Sequence, residues 1–141
     1  MYKKSVLPNG LRVLTAEIPH ARSVSVSVFV AAGSRYEEQH LAGVAHFVEH
    51  MFFKGTQRRP SAQQISEAIE GVGGIINAEV GKEIAVYWAK VARPHLDVGL
   101  DVLTDILRHS LFDPAEIEKE RRVILEELSM IMDDPREWVD V

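Results

Sequence analysis

Cysteine is absent from the 141 residues, so the chain can build no disulfide framework, no thiolate nucleophile and no Cys-ligated zinc or iron–sulfur centre. Positive charge is not in excess: 16 Lys and Arg stand against 21 Asp and Glu, a formal net charge of −5, which argues against a nucleic-acid partner. No run approaches the ~18 consecutive apolar residues that cross a bilayer. Lys3 and Lys4 are not followed by the apolar stretch of a signal peptide, so a soluble cytoplasmic protein with no membrane attachment is expected. Repeats, low-complexity tracts and Ser/Gly linkers are also missing, and residues 1–141 read as a single domain. With 46% hydrophobic and 26% charged residues, the composition is that of a globular chain able to bury a core.

The local patterns alternate between two periods. Pro8-Asn9-Gly10 is a turn between two short strand-like runs, the second covering 11–18. From Ser23 to Val30 serine and valine alternate, giving one polar and one apolar face, as in a half-buried strand. Leu41 to Phe53 is apolar almost all round, which predicts a buried helix ending at Lys54-Gly55. Ser61 and Gln64 have capping-box spacing at the start of a second helix, closed by Gly71, Gly73 and Gly74. Residues 75–80 and 84–91 flank Gly81-Lys82-Glu83 as a hairpin. Pro94 begins a third helix reaching about His109. Asp113-Pro114-Ala115-Glu116 supplies an N-cap, a first-turn proline and an N3 carboxylate for a fourth, ending near Met132. This order predicts an α+β fold with a mainly antiparallel sheet packed with helices. Arg58-Arg59-Pro60 reads as a solvated basic loop and Trp88 and Trp138 as packing residues. His20, His40, His95 and His109 read as surface residues.

Chemistry concentrates in His46-Phe47-Val48-Glu49-His50. Histidines at i and i+4 lie one above the other on a helix, so their imidazoles can converge on one metal ion without backbone strain. Glu49 lies roughly 60° and roughly 100° around the helix from the two, within reach of a water on the same ion as a general base. The plainer alternative is a helix carrying two core-edge histidines. Burial favours the metal: Leu41, Val44, Phe47, Val48, Met51 and Phe52 occupy the rest of the circumference, so the polar patch faces the interior or a cleft and needs partners.

A catalytic zinc takes three protein ligands and keeps a fourth position for water; without cysteine the third must be His, Asp or Glu. The fourth helix narrows the choice. At about 100° per residue, Glu120 and Glu127 fall within the apolar arc of Ile117, Ile124, Leu128 and Ile131, flanked by Val123 and Met132. Glu118 and Glu126 fall on the opposite, solvated side. Two carboxylates in a core-facing stripe are costly without a cation or donors, which makes Glu120 and Glu127 the candidates for the missing ligand and its support.

Together, His46-x-x-Glu49-His50 and the stretch Glu120 to Glu127, with 76 residues between His50 and Glu127, resemble the inverted zinc-motif peptidases of the pitrilysin type. Leu7-Pro8-Asn9-Gly10-Leu11-Arg12-Val13, Gly33-Ser34-Arg35, His50-Met51-Phe52-Phe53-Lys54-Gly55-Thr56 and Gly73-Gly74-Ile75-Ile76-Asn77-Ala78 are similar to the bacterial and mitochondrial processing branch. The resemblance implies a zinc-dependent endopeptidase with one Zn2+ per chain on His46, His50 and Glu127. It also implies Glu49 as base, Glu120 as support, and Asn77 and Ala78 on an edge strand that binds an extended peptide. Family members are two-lobed or paired, so this chain is expected to be an incomplete first lobe needing a second lobe or a dimer partner. The alternatives are a non-catalytic structural or partner subunit and a zinc-binding fragment inactive alone. S-ribosylhomocysteine lyase shares the His-x-x-Glu-His spacing but uses a cysteine ligand, which this chain lacks.

Overall fold

The computed structural model describes residues 2–133; Trp138 lies outside them. The first turn forms as its residues dictate: Gly10 takes φ 86°, Asn9 Oδ1 accepts from the Leu11 N–H at 3.1 Å, and β1 (Tyr2–Val6) pairs antiparallel with β2 (Arg12–Ala16). The second strand is thus shorter than 11–18. A separate three-stranded sheet holds β3 (Ser23–Val30), β4 (Ile75–Val80) and β5 (Ala85–Ala92) in the order β3-β5-β4, antiparallel throughout. The 75–91 hairpin therefore forms as expected, displaced by one residue in its second strand.

Register explains which face is buried. Val24, Val26 and Val28 stand opposite Val91, Ala89 and Tyr87, so the valines of β3 share the face on which Ala85, Tyr87, Ala89 and Val91 are buried. The serines share the other face with half-buried Trp88. Against the apolar face pack helix α2 (Ala62–Glu70), through Ile65 and Ile69, and helix α3 (Leu96–His109), through Val102, Leu103 and Ile106. Close approach requires Gly74, between α2 and β4, where an added Cβ would lie 2.8 Å from Val91 Cγ1 and 2.9 Å from Lys90 O. Ser61 Oγ caps α2 by accepting from the Gln64 N–H at 3.3 Å. The third helix is preceded by a single 3-10 turn, Arg93–His95, in which Pro94 sits.

Helix α1 (Val44–Phe52) starts three residues later than its apolar run suggested. Gly43 takes φ 91°, a left-handed conformation that breaks the helix from the 3-10 turn Gln39–Leu41 before it. Nor is α1 buried all round: Met51 is fully buried, but Val44 and Leu41 are exposed, because the helix lies at the margin between β4 and the last helix. That helix, α4 (Pro114–Asp133), opens as its sequence specified, with Asp113 Oδ1 accepting from the Ala115 and Glu116 N–H groups at 2.8 and 3.3 Å.

The loop from α1 to α2 corrects one expectation. Arg58, although exposed, pairs with Asp101 of α3 at 2.6 Å, and Arg59 folds onto the same helix, 2.5 Å from Asp101 and 2.6 Å from Asp105. Buried Asp105 also accepts from the buried Thr56 hydroxyl at 2.7 Å and pairs with His109 at 3.2 Å, so His109 serves this cluster as well as lying near a helix end. Burial alone would push the Asp105 carboxyl up, yet Thr56 and Arg59 outweigh it and hold the carboxyl below the ordinary carboxylate range. Its stabilising contribution is therefore complete above the unfolded value near ~3.9 and disappears as pH falls through the lower folded value. Asp105→Asn should cost roughly 1–3 kcal/mol by weakening the hydrogen bonds from Thr56 and from Arg59, which keeps Asp101 as its other partner, and should flatten the acid limb of stability against pH. Urea unfolding across the acid range checks both; a curve parallel to that of the parent chain would show that the cluster contributes nothing.

Candidate metal centre

Helices α1 and α4 meet at the polar patch. Both histidines point from α1 toward α4: His46 Nε2 and His50 Nε2 lie 3.1 Å apart, with the rings edge-to-face at 88°. Glu127 Oε2 completes a triangle, 3.8 Å from His46 Nε2 and 3.6 Å from His50 Nε2. A tetrahedral zinc bound at ~2.0 Å holds its ligand atoms about 3.3 Å apart, so the triangle has the size such an ion requires. Two neutral nitrogens and one carboxylate oxygen are also the donor types of a catalytic zinc site.

The proton on His50 can be located from its neighbour. Nδ1 lies 2.7 Å from Glu120 Oε1 and donates to it, so in the neutral ring the Nε2 lone pair is directed into the triangle. Glu120 reaches that nitrogen from two helical turns before Glu127, so the His50 ring spans the gap between two carboxylates of one helix face. Its side chain is only 4% exposed, and its second oxygen lies 2.6 Å from Lys54 Nζ. Burial would raise the Glu120 carboxyl, but Lys54 and His50 outweigh it and hold it below the usual range. Glu127, by contrast, is 43% exposed, so the centre opens to solvent on one side.

The helical-wheel expectation is met at the residues that matter. Ile117, Ile124, Glu127 and Ile131 are half-buried and Glu120 fully buried, while Glu118 and Glu126 are exposed. Leu128, Val123 and Met132 depart from it and are exposed, since α1 is the main neighbour of α4 among the described residues. Glu49 is half-buried beside the core. Burial pushes the Tyr87 hydroxyl up to about 12, and the Glu49 carboxylate adds to the shift. Asn77 and Ala78 lie on β4, an edge strand among the described residues, where Asn77 Oδ1 accepts from the Ala78 N–H at 2.9 Å.

Two contributors were not singled out from sequence. Lys54 follows His50 by four residues, so helical spacing was an available signal for its contact with Glu120. Glu37 gave none: from a loop, its carboxylate accepts from the Gly43 and Ala45 N–H groups at 2.6 and 2.7 Å, capping α1 where Gly43 has no side chain to do so.

Comparison with known proteins agrees with this geometry. Residues 12–140 match the family model described as "Insulinase (Peptidase family M16)", and the chain belongs to that family. It is 42% identical over 139 residues to a Bacillus subtilis protein named "Uncharacterized zinc protease YmxG", covering 99% of this chain and 34% of that one. To an Arabidopsis thaliana protein named "Probable mitochondrial-processing peptidase subunit beta" it is 45% identical over 127 residues, covering 90% of this chain and 24% of the other. The crystal structure of a protease from Helicobacter pylori superposes with a TM-score of 0.85 at 27% identity, over 90% of this chain and 30% of that one. The chain thus spans between 24% and 34% of the length of these curated relatives. Among the described residues no helix is long and apolar enough to cross a membrane.

The cap generates a prediction independent of any metal. Glu37→Ala should lower the unfolding free energy by about 1 kcal/mol, the usual loss when a side-chain cap is removed. Thermal unfolding measures it, and an unchanged midpoint would show that the α1 terminus is satisfied without Glu37.

Proposed function

We propose that this chain carries the zinc-binding catalytic segment of a metalloendopeptidase. The observation that supports this most is the convergence of His46 Nε2, His50 Nε2 and Glu127 Oε2, all within 4.8 Å of one another, with Glu120 oriented on the far nitrogen of His50. In this reading His46, His50 and Glu127 hold one Zn2+ per chain. When bound there, zinc would lower the pKa of a water toward neutral and polarise the scissile carbonyl. Glu49 would serve as the general base and then as the proton donor to the leaving amine, a role that needs no covalent acyl-enzyme.

The free side of β4 at Asn77 and Ala78 would take an extended peptide as an added strand, with backbone hydrogen bonds fixing its register. A peptide there must compete with the Asn77 carboxamide for the Ala78 N–H. The remaining substrate contacts would come from a second lobe or a partner subunit. Retention of both histidines, Glu49 and Glu127 favours the catalytic reading over a structural subunit.

Glu49→Gln in the full chain should reduce peptide hydrolysis by roughly 10²–10⁴-fold while leaving zinc content unchanged, because the residue moves a proton and holds no metal. Loss of zinc from that variant would move Glu49 into the ligand set. Among the carboxylates of α4, Glu127→Gln should abolish tight zinc binding and Glu126→Gln should leave it intact. Metal analysis of the purified variants decides the matter, and the reverse pattern would mean that the helix register is wrong by one residue.

A further inference from the structure

Lys54 lies just beyond α1, its N–H bonded to Met51 O at 3.1 Å. The residues that follow are held firmly. Gly55 adopts φ 147°, with Pro60 O only 2.7 Å from the position a Cβ would take, and Gly55 O accepts from the Leu111 N–H at 3.0 Å. Thr56 is fixed to α3 through Asp105. The backbone at Lys54 is thereby set relative to both α1 and α3.

From that fixed point the ammonium reaches Glu120 Oε2 at 2.6 Å, while Oε1 accepts from His50 Nδ1 at 2.7 Å. His50 and Lys54 are the ion-pair partners of this carboxylate among the described residues. A glutamate side chain has three rotatable bonds and two equivalent oxygens. Held by one partner, its carboxylate can swing about that contact; held by two partners from consecutive turns, both oxygens are assigned.

We infer that Lys54 is a positioning residue for His50, holding Glu120 so that Oε1 faces Nδ1 and the Nε2 lone pair stays directed at His46 and Glu127. The inference rests on reading that trio as a metal site, although the orientation of the His50 ring belongs to the chain itself. Removing the ammonium frees Oε2, lets the carboxylate turn, and releases the constraint on which ring nitrogen carries the proton. Groups that orient a metal-bound histidine typically change metal affinity 10–100-fold, and Lys54 acts one contact further out, so about a tenfold loss is expected.

The test compares Lys54→Met, Lys54→Gln and Lys54→Arg in the full chain. Zinc dissociation constants are measured by competition with a chromophoric chelator. The His50 tautomer is read from ring 15N chemical shifts in zinc-free protein at a pH where the imidazole is neutral. The parent chain should show the Nδ1–H form; Lys54→Met and Lys54→Gln should show both tautomers and bind zinc about tenfold more weakly. Lys54→Arg should restore both readouts, since it keeps a cation that can donate to Glu120 Oε2. Parental tautomer and affinity in Lys54→Gln overturn the proposal, as does a folded Lys54→Arg that loses as much as Lys54→Gln. If Lys54→Met does not fold, Lys54→Gln carries the comparison. A parent chain that binds no zinc overturns the metal reading instead, and the tautomer comparison still tests Lys54.

Discussion

A carboxylate with almost no contact with water is the constraint around which the centre is organised. Glu120 is tolerable in its position only because an imidazole N–H and an ammonium meet its two oxygens. One donor comes from the last turn of α1 and the other from just beyond it, so the pairing also ties α4 to the end of that helix. Glu127, on the same face two turns later, is then carried to the Nε2 side of the same ring. One buried charge thus sets a helix contact, a tautomer and the position of a second carboxylate.

The helix that presents the histidines is restrained at both ends by groups outside it. Glu37 satisfies two N–H groups at its start, where Gly43 turns the chain. At its finish, the Thr56–Asp105–Arg59 cluster fastens the exit loop to the core helix α3. The C-terminal end of α1 is packed through buried Met51 and through Phe52, which meets Tyr87 and Phe112 edge-to-face, and these polar contacts add to that alignment at both ends.

How much of this could be read from the chain follows from the range of the interactions. The valine–serine alternation of β3, the Asp113 cap and the stripe containing Glu120 and Glu127 are periodic or local signals, and the structure reproduces them. The apolar run before His46 misled in length, because hydrophobicity does not report that Gly43 has left the helical region. Contacts between distant segments left no trace: Arg59 reads as a loop cation until Asp101 and Asp105 of α3 are placed beside it, and Glu37 as a loop acid until α1 begins above it. The convergence of His46, His50 and Glu127 was legible because i, i+4 spacing and the helical wheel place these residues on each helix separately; a role for each carboxylate is what the family resemblance implies.

The exposed apolar side of α4 bears on how firmly the far half of that helix is held. Leu125, Leu128, Met130 and Met132 contact little among the described residues, so hydrophobic adhesion does not hold the distal half of this helix in place. An ion shared by His50 and Glu127 would act as a cross-link closing a loop of 76 residues, an ordering worth on the order of 4 kcal/mol in chain entropy alone. Metal occupancy would then tighten a contact that Glu120 already makes with His50 and Lys54, extending the attachment of α4 from its buried glutamate to the half that packing leaves exposed.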